Sequence, residues 1–447
     1  MKINNKTLII VILILGFGIG LFHVFLMPPF QNPDEVQHFL YAATYAYDPQ
    51  QMEAVEARVL ELLKEYKWFH FVGIGPGWEN TGKIADISYV FHFDADRKST
   101  RKTFFHFLYG TVLKFSGIND VLTAFYFLRV VSTCFYVIIL LLAFWFFQRY
   151  FPQNWEYPFI GLVLVFQLAT LLNAVNYDVF MVLFGTLFFI FAYGYLRSQK
   201  RIYLVLLLIA AALGTLTKLV GILFIGYILI LLCLNVKWDP KLIKGFFLVL
   251  LLVILGFCWM NYLFPERFFN LYSVIFGLWH DTGAAAGLVG EKALRFSLFN
   301  SMADSFYFHT GWMGFKLGAF WYLVLKIFLG LSLLGLFSAL FLKKKILSRL
   351  EKKWLIYLLV VSAVQVFAIW LYYGSKITVQ GRYLYPLIIP IILLVYTGLL
   401  YLEKWFHFKR NYLVIFYILF QVVLVLFAVT RIISVFYLEM ASPHPGL

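Results

Sequence analysis

The stretch Leu8-Ile-Ile-Val-Ile-Leu-Ile-Leu-Gly-Phe-Gly-Ile-Gly-Leu-Phe-His-Val-Phe-Leu-Met27 runs directly into Pro28-Pro29-Phe30-Gln31-Asn32-Pro33-Asp34-Glu35-Val36-Gln37-His38. Its first part has the length of one bilayer crossing, which needs about 20 apolar residues. An adjacent acid pair, with a His one helical turn on, therefore sits where a membrane helix meets water. Charge at that depth is costly unless it has a task. The run follows Lys2 and Lys6, as a secretory leader would. It is too long for the apolar part of a leader, and it ends in Leu26-Met27-Pro28-Pro29 with no small-x-small cleavage site. A retained first span is expected.

Composition points the same way. Of 447 residues, 62% are hydrophobic and only 13% charged. A water-soluble fold could not hide that much apolar surface, so one polytopic membrane domain over 1–447 is expected. The net charge of +15 would suit nucleic acid if the cations formed one face. They cluster instead in short loops between apolar runs, which is a topology signal, and nucleic acid is not expected as a partner. Cys134, Cys233 and Cys258 all lie inside apolar runs without close pairing. They read as small apolar fillers rather than as a disulfide framework or a zinc site.

Apolar runs long enough to cross a bilayer cover approximately 8–27, 122–147, 159–175, 178–196, 202–217, 219–235, 246–264, 318–342, 354–373, 383–402 and 412–436. About eleven transmembrane helices follow, in an all-α polytopic membrane protein. Lys2 and Lys6, Arg149, Arg197 to Arg201, Lys237 to Lys244, Lys343 to Lys353, and Lys404 to Arg410 fall in alternate loops. All lie on one side if the N-terminus is cytoplasmic, and the C-terminus is then outside. Two outer segments are long, 28–120 and 265–316. Within the first, Val36, Phe39, Leu40, Ala43 and Tyr47 repeat at helical spacing, as do Val55, Val59, Leu62, Leu63 and Tyr66. These stretches, and the aromatic-rich 104–115, are expected to be helices lying in the membrane interface. Gly73-Ile-Gly75-Pro-Gly77 reads as turn material between them.

Asn32-Pro33-Asp34-Glu35 is a good helix start: Asn as N-cap, Pro at the first position, and acids near the positive end of the dipole. Capping does not require that start to sit at the outer mouth of a membrane span. Two neighbouring acids can also divide labour, one as base and one positioning a partner, or can hold a metal. His38 lies on the same face one turn on. Asp178 is a second acid on the same side, after Asn173 and Asn176, and is also explicable as a helix start. Arg129, Lys218 and Arg382 lie on the outer side, which the positive-inside rule depletes. Each could snorkel to the interface, yet together, facing acids, they suit an anionic lipid head group. His309 and Trp312 could line the same cavity or belong to an interfacial aromatic belt, and Tyr383 would pack beside Arg382 in the binding site.

This combination resembles the GT-C superfamily of membrane glycosyltransferases, and most closely a bacterial branch of that superfamily. The shared motifs are Pro33-Asp34-Glu35 with His38-Phe39, Asn176-Tyr177-Asp178, Thr217-Lys218, Gly311-Trp312, and Gln380-Gly381-Arg382-Tyr383 before a span containing Pro386. The likeness runs over nearly the whole chain, and its force comes from the order and sidedness of short motifs. Val36 and Gln37 stand where that branch often has Pro-Ala, and 104–109 lacks its prolines; both departures bear on the acceptor side. The resemblance implies an inverting transferase in a bacterial plasma membrane. Its donor would be a polyprenyl-phosphate sugar, and its acceptor a hydroxyl of a glycan, lipid or protein. Asp34 would be the base, with Glu35 and Asp178 orienting it, binding acceptor or holding a divalent metal ion. Lys218, Arg129 and Arg382 would neutralise the leaving phosphate. A lipid-linked glycan polymerase or ligase, and a lipid-sugar flippase, are the alternatives. A flippase should concentrate its polar groups at mid-membrane in broken helices.

Overall fold

Helix α1 (Asn5–Leu26) realises the first apolar run, and Pro28 ends it. A computed structural model describes residues 5–68, 82, 103–151, 154–234, 296–310, 315–341, 347–373, 380–408 and 411–438. The expected span at 246–264, the turn at 73–77, most of the second outer segment and Trp312 lie outside the described residues.

The described chain is almost entirely helical. Three helices occupy the first outer segment, as the periodicity predicts: α2 (Glu35–Ala46), α3 (Pro49–Glu65) and α4 (Phe104–Ser116). In α3 a capping box between Asp48 and Gln51, with Pro49 in the first turn, fixes the start. Its apolar stripe, Met52, Val55, Val59, Leu62 and Leu63, is buried. Then follow α5 (Val121–Tyr150), α6 (Glu156–Val163), α7 (Phe166–Leu172), α8 (Asp178–Ser198), α9 (Arg201–Thr217) and α10 (Leu223–Leu234). The last group is α11 (Phe296–Tyr307), α12 (Ala319–Phe341), α13 (Arg349–Tyr373), α14 (Ile388–Trp405) and α15 (Tyr412–Ile433). One short antiparallel pairing, His309–Thr310 with Phe315–Lys316, interrupts the helices.

Among the described residues, seven helices are long and apolar enough to cross a membrane: α1, α5, α8, α12, α13, α15, and α14 together with the 3-10 turn Gly381–Leu387 that opens it. Two more, α9 and α10, are apolar but shorter. The chain is thus a polytopic membrane protein. Its outer helices keep large apolar groups such as Ile14, Phe320 and Phe416 exposed, which suits lipid and not water. Where the hydropathy predicts one span over 159–175, the chain forms α6 and α7, broken at Leu164–Val165. No proline marks that break, so an apolarity count reads straight through it.

Close packing replaces hydrophobic burial as the cement between membrane helices. A Cβ on Gly335 of α12 would fall inside the carbonyl of Gly398 on α14, and Ser332 donates to the Leu394 carbonyl at 3.1 Å across the same contact. Side-chain bonds also pair helix ends. At one end the Tyr437 hydroxyl donates to the carbonyls of Phe25 and Leu26 (3.0 and 3.2 Å). At the other the Asn411 amide donates to Tyr157 (3.1 Å) and Asn154 (3.4 Å).

Candidate functional site

The acid pair splits. Asp34 and Glu35 are sequence neighbours, but their carboxylates enter separate environments. Helix α2 starts at Glu35, later than the expected Asn32 cap. Asp34 takes left-handed backbone angles (φ 65°) and makes no capping bond. That conformation, uncommon for a residue with a Cβ, turns the two side chains apart.

Glu35 is fully buried against Arg129 of α5. The guanidinium donates to its carboxylate at 2.9 and 2.6 Å. The remaining donors reach the carbonyls of Val24, Met27 and Pro28 at 2.7, 2.6 and 3.1 Å. All five N–H groups of an arginine are then used. Glu35 also accepts from the backbone N–H of Val175 (3.1 Å) and Asn32 (3.2 Å). This clamp joins the end of α1, the start of α2, α5 and the turn before α8. Two expectations change here: Arg129 has no donor left for a phosphate, and Glu35 faces the clamp and not Asp34. Both side chains are 0% exposed, and a buried charge needs such saturation.

Asp34 joins a second cluster. Arg382, in the 3-10 turn before α14, donates from Nη2 to Asp34 Oδ2 at 2.6 Å. Its Nη1 lies 3.9 Å from Asp178 Oδ2. Asp178, at the start of α8, accepts from Lys218 Nζ at 2.8 Å. The order Asp34, Arg382, Asp178, Lys218 alternates in charge and draws on four separate elements. Asp34 keeps 23% of its side-chain surface exposed, against 7% for Arg382 and 4% for Asp178. Arg382 Nε and Nη1 and Asp178 Oδ2 are buried without a hydrogen-bond partner. Buried polar atoms are rarely left so.

Each member has a local reason for its place. Asn176 donates its amide to the Pro33 carbonyl (3.0 Å) and accepts from the Asp178 N–H (3.0 Å), tying the turn before α8 to the Asp34 segment. Lys218 sits between α9 and the 3-10 turn Leu219–Ile222. Its ammonium lies 4.4 Å from the Tyr177 ring centroid and 5.0 Å from that of Tyr383, a two-ring cation–π seat. The Arg382 turn is anchored by the Gly381 N–H on Ser305 (2.6 Å) and Tyr385 on the Phe306 carbonyl (2.7 Å). Gly185 of α8 lets the Pro386 carbonyl approach to where a Cβ would lie.

His38 is buried on α2. Its Nδ1 lies 2.9 Å from Nε2 of His106 on α4, and its ring meets Tyr177 edge-on at 4.2 Å. Burial, with Lys218 and Arg382 close by, holds the imidazole well below its usual pKa. His106 and Thr103 did not stand out in the sequence. His106 sits three residues after Thr103, and its role depends on a partner 68 residues away.

No family model, curated protein or solved structure matches the chain. The site therefore rests on its own geometry.

His309 lies in the short strand that follows α11. Of the three acids available to a metal, Glu35 faces Arg129, while Asp34 and Asp178 are engaged by Arg382 and Lys218. Among the described residues no three metal-ligating side chains come together. The set does not fit a divalent ion, and no step is derived through one.

Proposed function

We propose that this chain is an inverting membrane glycosyltransferase. It would move a sugar from a polyprenyl-phosphate donor to a hydroxyl acceptor at the extracytoplasmic face of a bacterial plasma membrane. The observation that carries the reading is the Asp34–Arg382–Asp178–Lys218 cluster. A partly exposed carboxylate stands beside a buried guanidinium with two unpartnered donors, and the residues named by the resemblance converge there from four elements. The eleven spans we propose are the seven long helices, the two shorter ones, α6–α7 as one crossing, and the apolar run 246–264 that the sequence leads us to expect. The two pairs of bonded helix ends described above each join segments that this topology puts on one side.

The chemistry follows from the charges. A phosphate accepts from the Nε–Nη2 fork of Arg382, taking the unpartnered Nε and competing with Asp34 for Nη2, since charge-assisted forked bonds favour it. Asp34 is then free to accept the acceptor's hydroxyl proton. The acceptor oxygen bonds to the anomeric carbon as the carbon–oxygen bond to phosphate breaks, and that electron pair stays on the phosphate. Lys218 and Arg382 meet the added negative charge. Protonation of Asp34 offsets it, so the site's net charge is unchanged through the step.

The decisive experiment uses purified protein in vesicles with radiolabelled polyprenyl-phosphate sugars, scoring transfer to a hydroxyl acceptor against movement of the lipid between leaflets. Asp34→Asn should lower turnover about 10²–10⁴-fold while donor binding persists. Lys218→Met should raise the donor KM and lower kcat together. Translocation without transfer would instead establish a flippase.

A further inference from the structure

The two buried histidines form a chain whose proton positions are dictated from one end. The backbone N–H of Thr103 lies 2.9 Å from Nδ1 of His106. A backbone N–H can only donate, so that Nδ1 must present a lone pair. A neutral His106 then carries its proton on Nε2, which lies 2.9 Å from Nδ1 of His38. That Nδ1 must accept in turn, and the proton of a neutral His38 is left on Nε2. This last nitrogen is buried and has no partner, in a side chain only 1% exposed. A buried, unpaired donor is costly and uncommon. Its surroundings state what it could serve. The Tyr177 ring meets His38 edge-on at 4.2 Å and also lies under the Lys218 ammonium at 4.4 Å. Lys218 and Arg382 both oppose protonation of His38, so the imidazole stays neutral, and the same two cations would draw an anion to it.

We propose that His106 locks His38 as a neutral imidazole protonated on Nε2, and that this N–H donates to a phosphate oxygen of the ligand that Lys218 and Arg382 attract. The proposal rests on the lipid-phosphate reading of the site. It makes His38 a binding residue with a fixed direction of donation and His106 a positioning residue that acts through it. A phosphate so held has a neutral donor beside two cations, which orients it without adding a third charge.

The test joins a spectroscopic and a binding measurement on the full chain in lipid vesicles. Nitrogen-15 NMR of histidine-labelled protein, with His38→Gln to assign the signals, should find the His38 proton on Nε2. Polyprenyl phosphate should shift that resonance, and inorganic phosphate at equal concentration shows whether the phosphate group suffices without the lipid. His38→Leu should weaken polyprenyl-phosphate binding about tenfold, the loss of roughly one hydrogen bond to a charged group. His38→Gln keeps an N–H near the same place and should recover most of it. His106→Phe should weaken binding like His38→Leu, and His106→Gln should restore it. A purely packing role predicts loss of stability with no Leu-to-Gln difference in affinity. A His38 proton on Nδ1, or His38→Leu binding as tightly as wild type, would overturn the proposal and leave the transferase reading standing. If wild-type protein binds no polyprenyl phosphate, the transferase reading falls and this proposal with it.

Discussion

Glu35 has four hydrogen-bond donors around a carboxylate that sees no water. Removing one partner of such a pair leaves the other charge buried and unanswered, at a cost of about 3–5 kcal/mol. Glu35→Gln and Arg129→Met should therefore lower the detergent unfolding temperature sharply, whereas Asp34→Asn should not. Equal thermal stability of all three variants would return Glu35 and Arg129 to the chemistry. His38 supplies a pH signature. The groups around it are His106, Tyr177, Lys218 and Arg382, from four different segments. Its folded-state pKa is lowered, so as pH falls below about 6.5 the unfolded chain takes up this proton first. Stability should thus be flat above that pH and decline beneath it, by up to about 1.4 kcal/mol per pH unit from this group. Melting curves at pH 7.5 and 5.5 should differ less in His38→Gln than in wild type; an undiminished difference would remove His38 as a source.

Elements hold the cluster by approach distance as much as by hydrogen bonds. Gly185 admits the Pro386 backbone to α8, which sets the depth of the Arg382 turn. Gly185→Leu overpacks that contact, a change that costs about 1–3 kcal/mol in a tight core. It should move Arg382 away from Asp34 and depress transfer more than Gly330→Leu, whose Cβ would meet nothing. Matching losses in both variants would mean that α8 does not position the turn. The helices of the first long loop were legible in the sequence because Val36, Phe39, Leu40 and Ala43 keep a 3.6-residue period. The break between α6 and α7 was not, since Leu164 and Val165 are as apolar as their neighbours. Nor could the sequence divide Asp34 from Glu35. The separation depends on one left-handed residue and on an arginine 94 positions away, and neither leaves a local mark. The Lys/Arg alternation put Asp34, Asp178, Lys218 and Arg382 on one side; their alternating order needed coordinates. The His38–His106 chain was invisible for the same reason: only the Thr103 N–H assigns its protons.

At the scale of the whole molecule, sidedness is what turns a polar cluster into a lipid-facing site. The cluster lies at the end of the bundle where α2, α4 and the start of α8 meet the tip between α9 and α10. The opposite end gathers Arg197, Lys200 and Arg201 near the end of α8, and Lys352 and Lys353 near the start of α13. Basic loops tend to stay on the cytoplasmic side; the topology we propose therefore puts the cluster outside, where the proposed lipid donor would reach it laterally from the bilayer. Labelling of intact cells with a membrane-impermeant maleimide tests this directly. The native Cys134 and Cys233 are exposed on membrane helices and are first replaced by Ala, along with Cys258. Cysteine placed at Gly117, beyond α4, should react from outside. Cysteine at Gln199 or Ser348 should react only after the membrane is opened. Reversed labelling would put the cluster in the cytoplasm. The Asp34 and Arg382 pairing would survive that result, but a carrier-lipid donor arriving from the outer leaflet would not, because the site would then face soluble cytoplasmic substrates.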